Sequence, residues 1–413
     1  MPTARPKSFS PATRVVALGL PDRTERGARQ ADRDLLAQAP ASFIDTTHFD
    51  TVRFPPPAWA LDAFTEAAKD GALAYTAYRG NRDILESVAR ALNGFTRLQF
   101  DPHAELMLTP GTQAGLFGAL AAIVNEGDKV LLVDPDYLFS ERILRFLGAD
   151  VRSVPLSTGG VIQPDLATLE DSLKRLKPKL LVFSNPNNPT GAVYSPAVIA
   201  RIAELAVEHD LWVVVDQLYA RLVYDGKPFT HLAAQPGMRE RTVTLFGPSK
   251  TESLSGYRVG VVAAPAAVIA GLEDVQSITS LRAPAYAQHV LASWLKGDTA
   301  WLAGRLKEFD NLRQMTVRAF RALPWLEIDP PGGTAYVWPD VSALGQPDSV
   351  IATAFLREAG VLVSPGYQFG VSGRGHFRIC YARDEREWAP ALERLVAILD
   401  RFARSAGLPG RNG

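Results

Sequence analysis

The sequence predicts an α/β protein with a large domain, built on a mostly parallel sheet flanked by helices, and a smaller α+β domain. Through the middle of the chain, short and continuously apolar segments alternate with helical ones. Strands of that kind are buried on both faces, as in parallel sheets covered by helices. From about residue 280 the pattern changes to long helical segments followed by isolated strand-like ones. A chain of 413 residues is also too long for one simple core.

The elements follow from apolar periodicity and breaker residues. In the large domain we predict strands at residues 105–109, 130–133, 180–184, 211–215, 243–246 and 258–263, and helices at 59–70, 113–125, 139–147, 166–176, 196–208 and 265–272. Pro265 suits the first position of the last of these helices, where its missing N–H costs nothing. In the smaller domain we predict helices at 285–295, 300–323 and 388–402, and strands at 334–337, 361–363 and 377–381.

We place the domain limits from these elements and from a proline-rich segment at residues 54–57. Residues 1–54 are predicted to form an N-terminal arm and part of the small domain, with 1–40 as a partly ordered arm. Residues 55–295 form the large domain. Residues 296–413 form the small C-terminal domain.

Charge and cysteine content narrow the class of protein. Lys+Arg and Asp+Glu both number 44, so the net charge is zero, and we expect neither nucleic acid nor a membrane as a partner. The longest apolar stretches, 114–124 and 259–272, are too short to span a bilayer. The single cysteine, Cys380, lies in an apolar run and predicts a buried inert thiol in a reducing compartment. With no apolar leader visible, the cytoplasm is the expected location. No metal site is predicted.

One lysine stands at the mouth of a predicted strand with phosphate-binding residue types beside it. Lys250 follows the apolar segment 242–246, with Ser249 before it and Arg258 eight residues on. A lysine forms an imine with an aldehyde once its pKa is lowered. Serine and arginine supply a hydroxyl and a charged fork for a phosphate. Alone the pattern is weak, because most lysines are solvated surface charges.

Polar residues also follow the other predicted parallel strands, at the sheet edge where ligands bind in open α/β sheets. Gly111, Thr112 and Gln113 open a helix whose free N–H groups suit an anion, although a glycine turn capped by Thr112 is the alternative. Tyr137 follows the next strand and can stack on a planar ring or simply pack in the core.

Two further strand ends complete the inventory. The loop 185–191 holds two prolines, a glycine and asparagines, and this degree of local restraint favours a site over a connector. Asp216 ends a very apolar run, so its carboxylate needs a partner, either a structural cation or a protonated ring nitrogen. Tyr219 lies three residues on. Together these parts fit pyridoxal 5′-phosphate (PLP).

At these residues the chain resembles the fold-type I aminotransferases of class I and II, which are aspartate aminotransferase-like, over about residues 42–400. The most specific matches are the loop 185–191 and the segment from Ser249-Lys250 through residues 256–260. Further matches are Pro110 to Gln113, Asp216 with Tyr219, Gly332-Gly333, Pro365-Gly366 with Phe369-Gly370, and Phe377-Arg378-Ile379.

The resemblance implies a three-layer PLP-binding domain, and it implies a role for each matched residue. Lys250 is the Schiff-base lysine, and Asp216 holds the pyridine nitrogen protonated. Arg378 binds the substrate α-carboxylate, and Asn188 is a second substrate contact. The remaining implied cofactor contacts are Asn188 and Tyr219 at the ring hydroxyl, Tyr137 on the ring face, and Gly111, Thr112, Gln113, Ser249 and Arg258 at the phosphate. Tyr75 matches the tyrosine that reaches the phosphate of a neighbouring subunit, which implies a homodimer with shared active sites.

The implied activity is transfer of the amino group of an α-amino acid to a 2-oxo acid. Lys250, Asp216 and Tyr219 are the implied catalytic residues, and Lys250 acts first as general base and then as general acid.

The chain departs from the family around the substrate loop. Thr46 to Thr51 stands where the family usually has a Gly-x-Pro segment, and here His48 and Phe49 are predicted to line the substrate pocket, with a packed histidine as the alternative. Arg53 is either a contact for an acidic substrate side chain or a solvated surface residue. Gln217 and the segment Thr251-Glu252-Ser253 are also unusual for the family.

These departures keep other functions open at the level of sequence. One is a PLP-dependent lyase, β/γ-replacement enzyme or cyclase of specialised amino-acid metabolism. Another is a PLP-sensing regulator, which we disfavour because the short N-terminal arm leaves no place for a helix-turn-helix.

Overall fold

The computed structural model describes residues 12–16, 18, 35–49, 53–69, 74–157, 161–296 and 298–411. Most of the predicted N-terminal arm lies outside these residues. The helices are α1 (Thr13–Val16), α2 (Ala58–Lys69), α3 (Arg82–Thr96), α4 (Thr112–Ile123), α5 (Leu138–Phe146), α6 (Leu166–Leu176), α7 (Pro196–Glu208), α8 (Ala266–Thr279), α9 (Ala285–Gln288), α10 (Thr299–Arg321), α11 (Asp348–Ala354) and α12 (Glu385–Ser405). The strands are β1 (Ile44–Asp45), β2 (Leu106–Thr109), β3 (Lys129–Asp134), β4 (Asp150–Pro155), β5 (Leu180–Ser184), β6 (Trp212–Asp216), β7 (Thr242–Phe246), β8 (Gly260–Ala263), β9 (Tyr336–Val337), β10 (Val361–Leu362), β11 (Ser364–Pro365) and β12 (Phe377–Cys380).

A seven-stranded sheet in the order β2-β8-β7-β6-β5-β3-β4 forms the centre of the large domain. Strand β8 is antiparallel to both neighbours, and the other strands share one direction. The sheet is therefore mostly parallel, as predicted. The sequence analysis missed β4, because this edge strand carries two exposed residues, Arg152 and Ser153, in place of a continuous apolar run.

Helices cover both faces of this sheet. Successive strand residues alternate between two cores, so Leu131 packs with α6 and α7 on one side, while Val130 packs with α4, α5 and α8 on the other. This period of two is the pleat of a strand buried on both faces. The predicted helix–sheet–helix architecture is confirmed.

Several helices differ from their predictions, and α11 (Asp348–Ala354) was not predicted at all. Helix α3 was missed although its signals are present: the Asn81 side chain caps it by accepting from the N–H groups of Asp83 and Ile84, and its inner face is apolar. Helix α8 extends seven residues beyond the predicted end, and Pro265 occupies the cap position that precedes it. The helix predicted at 285–295 ends at Gln288 and continues as a 3₁₀ turn.

The C-terminal part packs helices α10 and α12 against the three-stranded sheet β11-β12-β9. Strand β1 pairs in parallel with β10, so the chain near residue 44 lies with the C-terminal strands. Cys380 is fully buried and free. The domain limits at 54/55 and 295/296 stay predictions. Among the helices in the described ranges, none combines the length and apolar character that crossing a membrane requires.

Candidate active site

A cavity of about 210 Å³ opens at the C-terminal edge of the parallel strands, around Lys250. Most of the residues predicted for the site lie in its wall although they are far apart in sequence. The lining residues are Thr47, His48, Thr112, Gln113, Leu116, Tyr137, Leu138, Phe139, Asn188, Asp216, Leu218, Tyr219, Lys250, Tyr336 and Arg378. The strand ends therefore converge as the topology requires.

The amine of Lys250 and the carboxyl of Asp216 share this cavity, and both titrate abnormally. Burial lowers the pKa of Lys250 to about 8, and the positive charge of Arg378 acts in the same direction. Burial raises the pKa of Asp216 to about 6, although the Leu218 N–H donates to its Oδ1 over 2.9 Å and Lys250 opposes the rise. Near neutral pH a substantial fraction of Lys250 is therefore an uncharged nucleophile.

Arg378 is the second cation in the cavity wall, and its guanidinium is held on several sides. Its Nη1 donates to Asn188 Oδ1 over 2.8 Å, and its Nη2 donates to the Thr47 carbonyl. Its Cζ lies 4.4 Å from the ring centre of Tyr336 and 4.7 Å from that of Phe369. Among the described residues, nothing accepts a hydrogen bond from its buried Nε. The arrangement leaves donor capacity for a carboxylate.

Of the residues predicted to hold a phosphate, Thr112 and Gln113 line the cavity, while Gly111, Ser249 and Arg258 are not among its lining residues. The backbone of Gly111 has φ +81°, and a Cβ there would lie 2.2 Å from Arg258 Nη2. The Arg258 guanidinium donates to two backbone carbonyls, that of Ser255 over 3.0 Å and that of Pro110 over 3.5 Å. The Ser249 hydroxyl is buried and has no partner within the described ranges. An unpartnered hydroxyl, a guanidinium and the start of α4 at Thr112 are donors that fit a phosphate.

Three tyrosine hydroxyls in the wall have defined partners. Tyr137 donates to Gln113 Oε1 over 2.8 Å, and the hydroxyls of Tyr219 and Tyr336 lie 3.0 Å apart. Burial raises the pKa of Tyr219 well above its usual range, so its phenol is a proton donor at neutral pH. Sequence analysis missed Tyr336, because its segment has only the features of a buried strand.

Two residues of the substrate loop, His48 and Phe49, were predicted to line the pocket, and only His48 does so. His48 lines the cavity, with its Nδ1 3.5 Å from Asp45 Oδ2. Phe49 is buried and lies outside the lining set; its ring packs on Tyr219 and Tyr336, with the Lys250 amine 5.6 Å from its centre. The prediction that Phe49 lines the pocket is therefore replaced by packing behind Lys250.

Two other predicted contacts lie away from the cavity. Arg53 forms an ion pair with Asp384 over 2.9 Å, so its guanidinium is already engaged. Tyr75 is 85% exposed, and the guanidinium of Arg282 stacks on its ring at 4.6 Å. Within one chain Tyr75 does not contribute to the Lys250 cavity.

A buried carboxyl that sequence analysis did not assign holds the 185–191 loop in place. Asp136 Oδ2 accepts from the Ser184 N–H over 2.8 Å and from Asn187 Nδ2 over 3.1 Å. Burial raises the pKa of Asp136 to about 7. The same asparagine accepts from the Thr190 hydroxyl over 2.6 Å, so the loop that carries Asn188 is fixed from both ends.

The unusual segment after Lys250 takes part in a buried ionic cluster. Arg221 donates to Glu252 and, over 2.7 Å, to Asp298 Oδ1, and all three side chains are at most 10% exposed. Burial raises the pKa of Glu252 to about 7, while the charge of Arg221 opposes that rise. We call these three residues the ionic triad. It connects the Lys250 turn with the loop after β6 and with the start of α10.

Known proteins with a similar sequence and fold show to which family this chain belongs. The sequence model of the family described as aminotransferase class I and II matches residues 46–395. The chain belongs to the class I and II aminotransferase family. It is 32% identical over 343 residues to a putative aminotransferase of Bacillus subtilis, covering 83% of this chain and 88% of the relative. It is 31% identical to an aspartate/prephenate aminotransferase of Thermus thermophilus, over 84% and 89% of the two chains.

Solved structures of aminotransferases have the same fold. A crystal structure of an aspartate aminotransferase from Rhodobacter sphaeroides superposes with a TM-score of 0.84 at 34% identity, and covers 91% of this chain and 99% of its own. The chain is therefore a transaminase. Family membership does not favour the other activities that the sequence left open, those of a lyase, a β/γ-replacement enzyme or a cyclase.

Proposed function

We propose that this aminotransferase binds PLP at Lys250 and exchanges amino groups between an α-amino acid and a 2-oxo acid, as a cytoplasmic homodimer. The observation that carries the proposal is the placement of Lys250, Asp216 and Arg378 around one cavity. A nucleophile, a proton partner and a carboxylate receptor are the protein groups that this reaction needs.

The donors around Lys250 match the parts of PLP. Ser249, Arg258 and the start of α4 would hold its phosphate, because the Ser249 hydroxyl has no partner among the described side chains and Arg258 lies against Gly111. Asp216 would pair with the ring nitrogen and Tyr137 would face the ring. When bound, the cofactor supplies an aldehyde and an electron-accepting ring.

The chain's own groups position the substrate and move its proton. The Arg378 fork holds the α-carboxylate, and its contact with Asn188 fixes its direction. Lys250 Nζ, uncharged in part near neutral pH because its pKa is about 8, takes the proton from the substrate Cα and later releases it as an acid. Tyr219 is kept protonated by its raised pKa, and its hydroxyl would donate to the ring hydroxyl oxygen of the cofactor.

Support for the homodimer comes from the surface around Tyr75. Its ring is largely exposed and is held by Arg282, whose Nε donates to the Thr76 carbonyl over 2.6 Å. An exposed aromatic ring that is kept in one place suits contact with a second subunit. The buried free thiol of Cys380 fits a reducing cytoplasm.

The test is a half-reaction with Lys250→Ala, with Lys129→Ala at an exposed position as the matched control. Purified protein is incubated with PLP, reduced with borohydride and analysed by mass spectrometry. We expect the PLP mass on the control and none on Lys250→Ala. With a panel of amino acids, the control should convert its cofactor to the amine form and release a 2-oxo acid. Labelling of Lys250→Ala would reject the assignment, and release of ammonia without a 2-oxo acid would point to a lyase.

A further inference from the structure

A groove of about 760 Å³ lies apart from the Lys250 cavity and shares no lining residue with it. Its walls come from α3, from the segment 220–229 and from the start of α10. The lining residues are Arg90, Ala91, Gly94, Phe95, Ala220, Arg221, Val223, Lys227, Phe229, Leu295, Lys296, Asp298, Thr299 and Leu302. We call it the basic groove. Its volume falls in the range of small-molecule sites.

Three exposed cations of the groove have no acidic partner. Within the described ranges, the side chains of Arg90 and Lys227 form neither a hydrogen bond nor an ion pair, and Lys296 donates to the Ser87 hydroxyl and the Ala292 carbonyl. Burial lowers the pKa of Lys296, and the charge of Arg90 lowers it further. The charges of Arg90 and Lys296 are thus close enough to interact, and no described carboxylate pairs with either.

The only acid among the described lining residues, Asp298, is already paired with a cation. Asp298 accepts from Arg221 Nη2 over 2.7 Å as part of the ionic triad. Arg221 is held in the groove wall by this contact and by Glu252. Among the described lining residues, Arg90, Lys227 and Lys296 therefore keep no carboxylate partner and can attract an anion.

A helix terminus adds a fourth source of positive potential. Asp298 stands at the N-cap of the 23-residue helix α10, but its side chain makes no capping hydrogen bond because it faces Arg221. The first N–H groups of α10, beginning at Thr299 in the groove wall, are therefore left without the side-chain acceptor that usually satisfies them. Such a terminus favours an anion.

We infer that the basic groove binds a small organic anion with at least two negative charges. Arg90, Lys227 and Lys296 would contact the anionic groups, and the start of α10 would add backbone donors. The aromatic rings of Phe95 and Phe229 in the wall would contact an apolar body. A polyphosphate and a polycarboxylate share this chemistry, and the inference does not depend on the reaction at Lys250.

The experiment is calorimetric titration of the PLP-loaded protein at low ionic strength with pyrophosphate, with citrate and with acetate. We expect saturable binding of pyrophosphate or citrate, and none of acetate because it carries one charge. The Arg90→Gln/Lys227→Gln variant should bind at least about tenfold more weakly, since each lost charge-assisted contact contributes on the order of a factor of ten. Whichever of these two multivalent anions binds more tightly identifies whether the natural ligand is a polyphosphate or a polycarboxylate.

The matched control is Lys129→Gln/Arg357→Gln, which removes the same charge from exposed positions elsewhere. It should bind as the parent does, and Arg90→Lys should retain most of the affinity because it keeps the charge. Circular dichroism checks that each variant is folded. Equal binding by the groove variant and the control, or no saturable binding of either multivalent anion, would overturn the inference.

Discussion

The guanidinium of Arg378 donates to the Asn188 side chain over 2.8 Å, and this bond joins strand β12 to the loop that follows β5. The two residues lie 190 positions apart in sequence. Asn188 is in turn placed by its backbone N–H, which donates to the Ser184 hydroxyl over 3.1 Å. The guanidinium that we propose as the receptor of the substrate carboxylate is thus aligned by the loop that carries Asn188.

From this relationship we expect Arg378→Lys to lower kcat/KM by about a hundredfold, or roughly 2–3 kcal/mol, mostly through KM. A lysine keeps the charge but cannot form the planar fork or stack between Tyr336 and Phe369. Steady-state kinetics with a good amino donor measures the change. Arg401→Lys, in an exposed pair with Glu358, is the control and should leave the kinetics unchanged. An unaltered KM in Arg378→Lys would show that another group receives the carboxylate.

The paired hydroxyls of Tyr219 and Tyr336 should be energetically coupled. Tyr336→Phe keeps the ring that Arg378 stacks on and removes the hydroxyl, so we expect a loss of about 1 kcal/mol in unfolding free energy and a several-fold lower kcat. Tyr219→Phe should lower kcat further, because its hydroxyl lines the cavity beside Lys250. A double-mutant cycle measures the coupling. Strict additivity of the two changes would mean that the 3.0 Å contact has no functional weight.

The ionic triad predicts a pH-dependent stability. Arg221→Leu leaves two buried carboxylates without a cation and should cost about 3–5 kcal/mol at pH 8. The pKa of Glu252 is raised from 4.5 to about 7 in the folded protein, so its ionisation opposes folding, and stability falls as pH rises through that window. The variant should therefore regain part of its stability below about pH 6.

Urea unfolding at several pH values measures this effect. The double variant Arg221→Leu/Glu252→Gln is the control, because it has no carboxylate at residue 252, and its stability should depend less on pH. If Arg221→Leu were equally destabilised at pH 8 and at acidic pH, the cost would come from packing instead of charge.

Capture of PLP by the cofactor-free protein should follow the titration of Lys250. The pKa of the amine is lowered to about 8, and only its uncharged form attacks an aldehyde, so the rate should rise with pH and level off above about pH 8. Stopped-flow absorbance measures the rate. In Arg378→Gln the midpoint should move to higher pH, because the Arg378 charge contributes to the lowered pKa. A midpoint that stays in place would show that the Arg378 charge does not contribute to the lowered pKa of Lys250.

Sequence patterns predicted most of the central sheet, because its strands are short apolar runs with clear ends. The prediction at 180–184 matches β5, and those at 166–176 and 196–208 match α6 and α7. Strand β4 was missed because two of its residues are exposed and it has no continuous apolar run. It lies at the edge of the sheet, where among the described strands only β3 pairs with it. The reversed direction of β8 leaves no mark in its apolar composition, which is the same for either orientation.

Local sequence motifs were enough to predict the family and most of the residues that line the Lys250 cavity, because those residues follow strand ends at fixed spacing. The tertiary structure alone decided which other residues join them. Tyr336 reaches Tyr219, Phe49 turns behind Lys250, and Glu252 finds Arg221 and Asp298. Each of these contacts joins segments from different parts of the chain. The sequence around each residue would fit a side chain buried anywhere in the core just as well as one at this site. Long-range packing and the pairing of buried charges, which no local pattern encodes, set them in place.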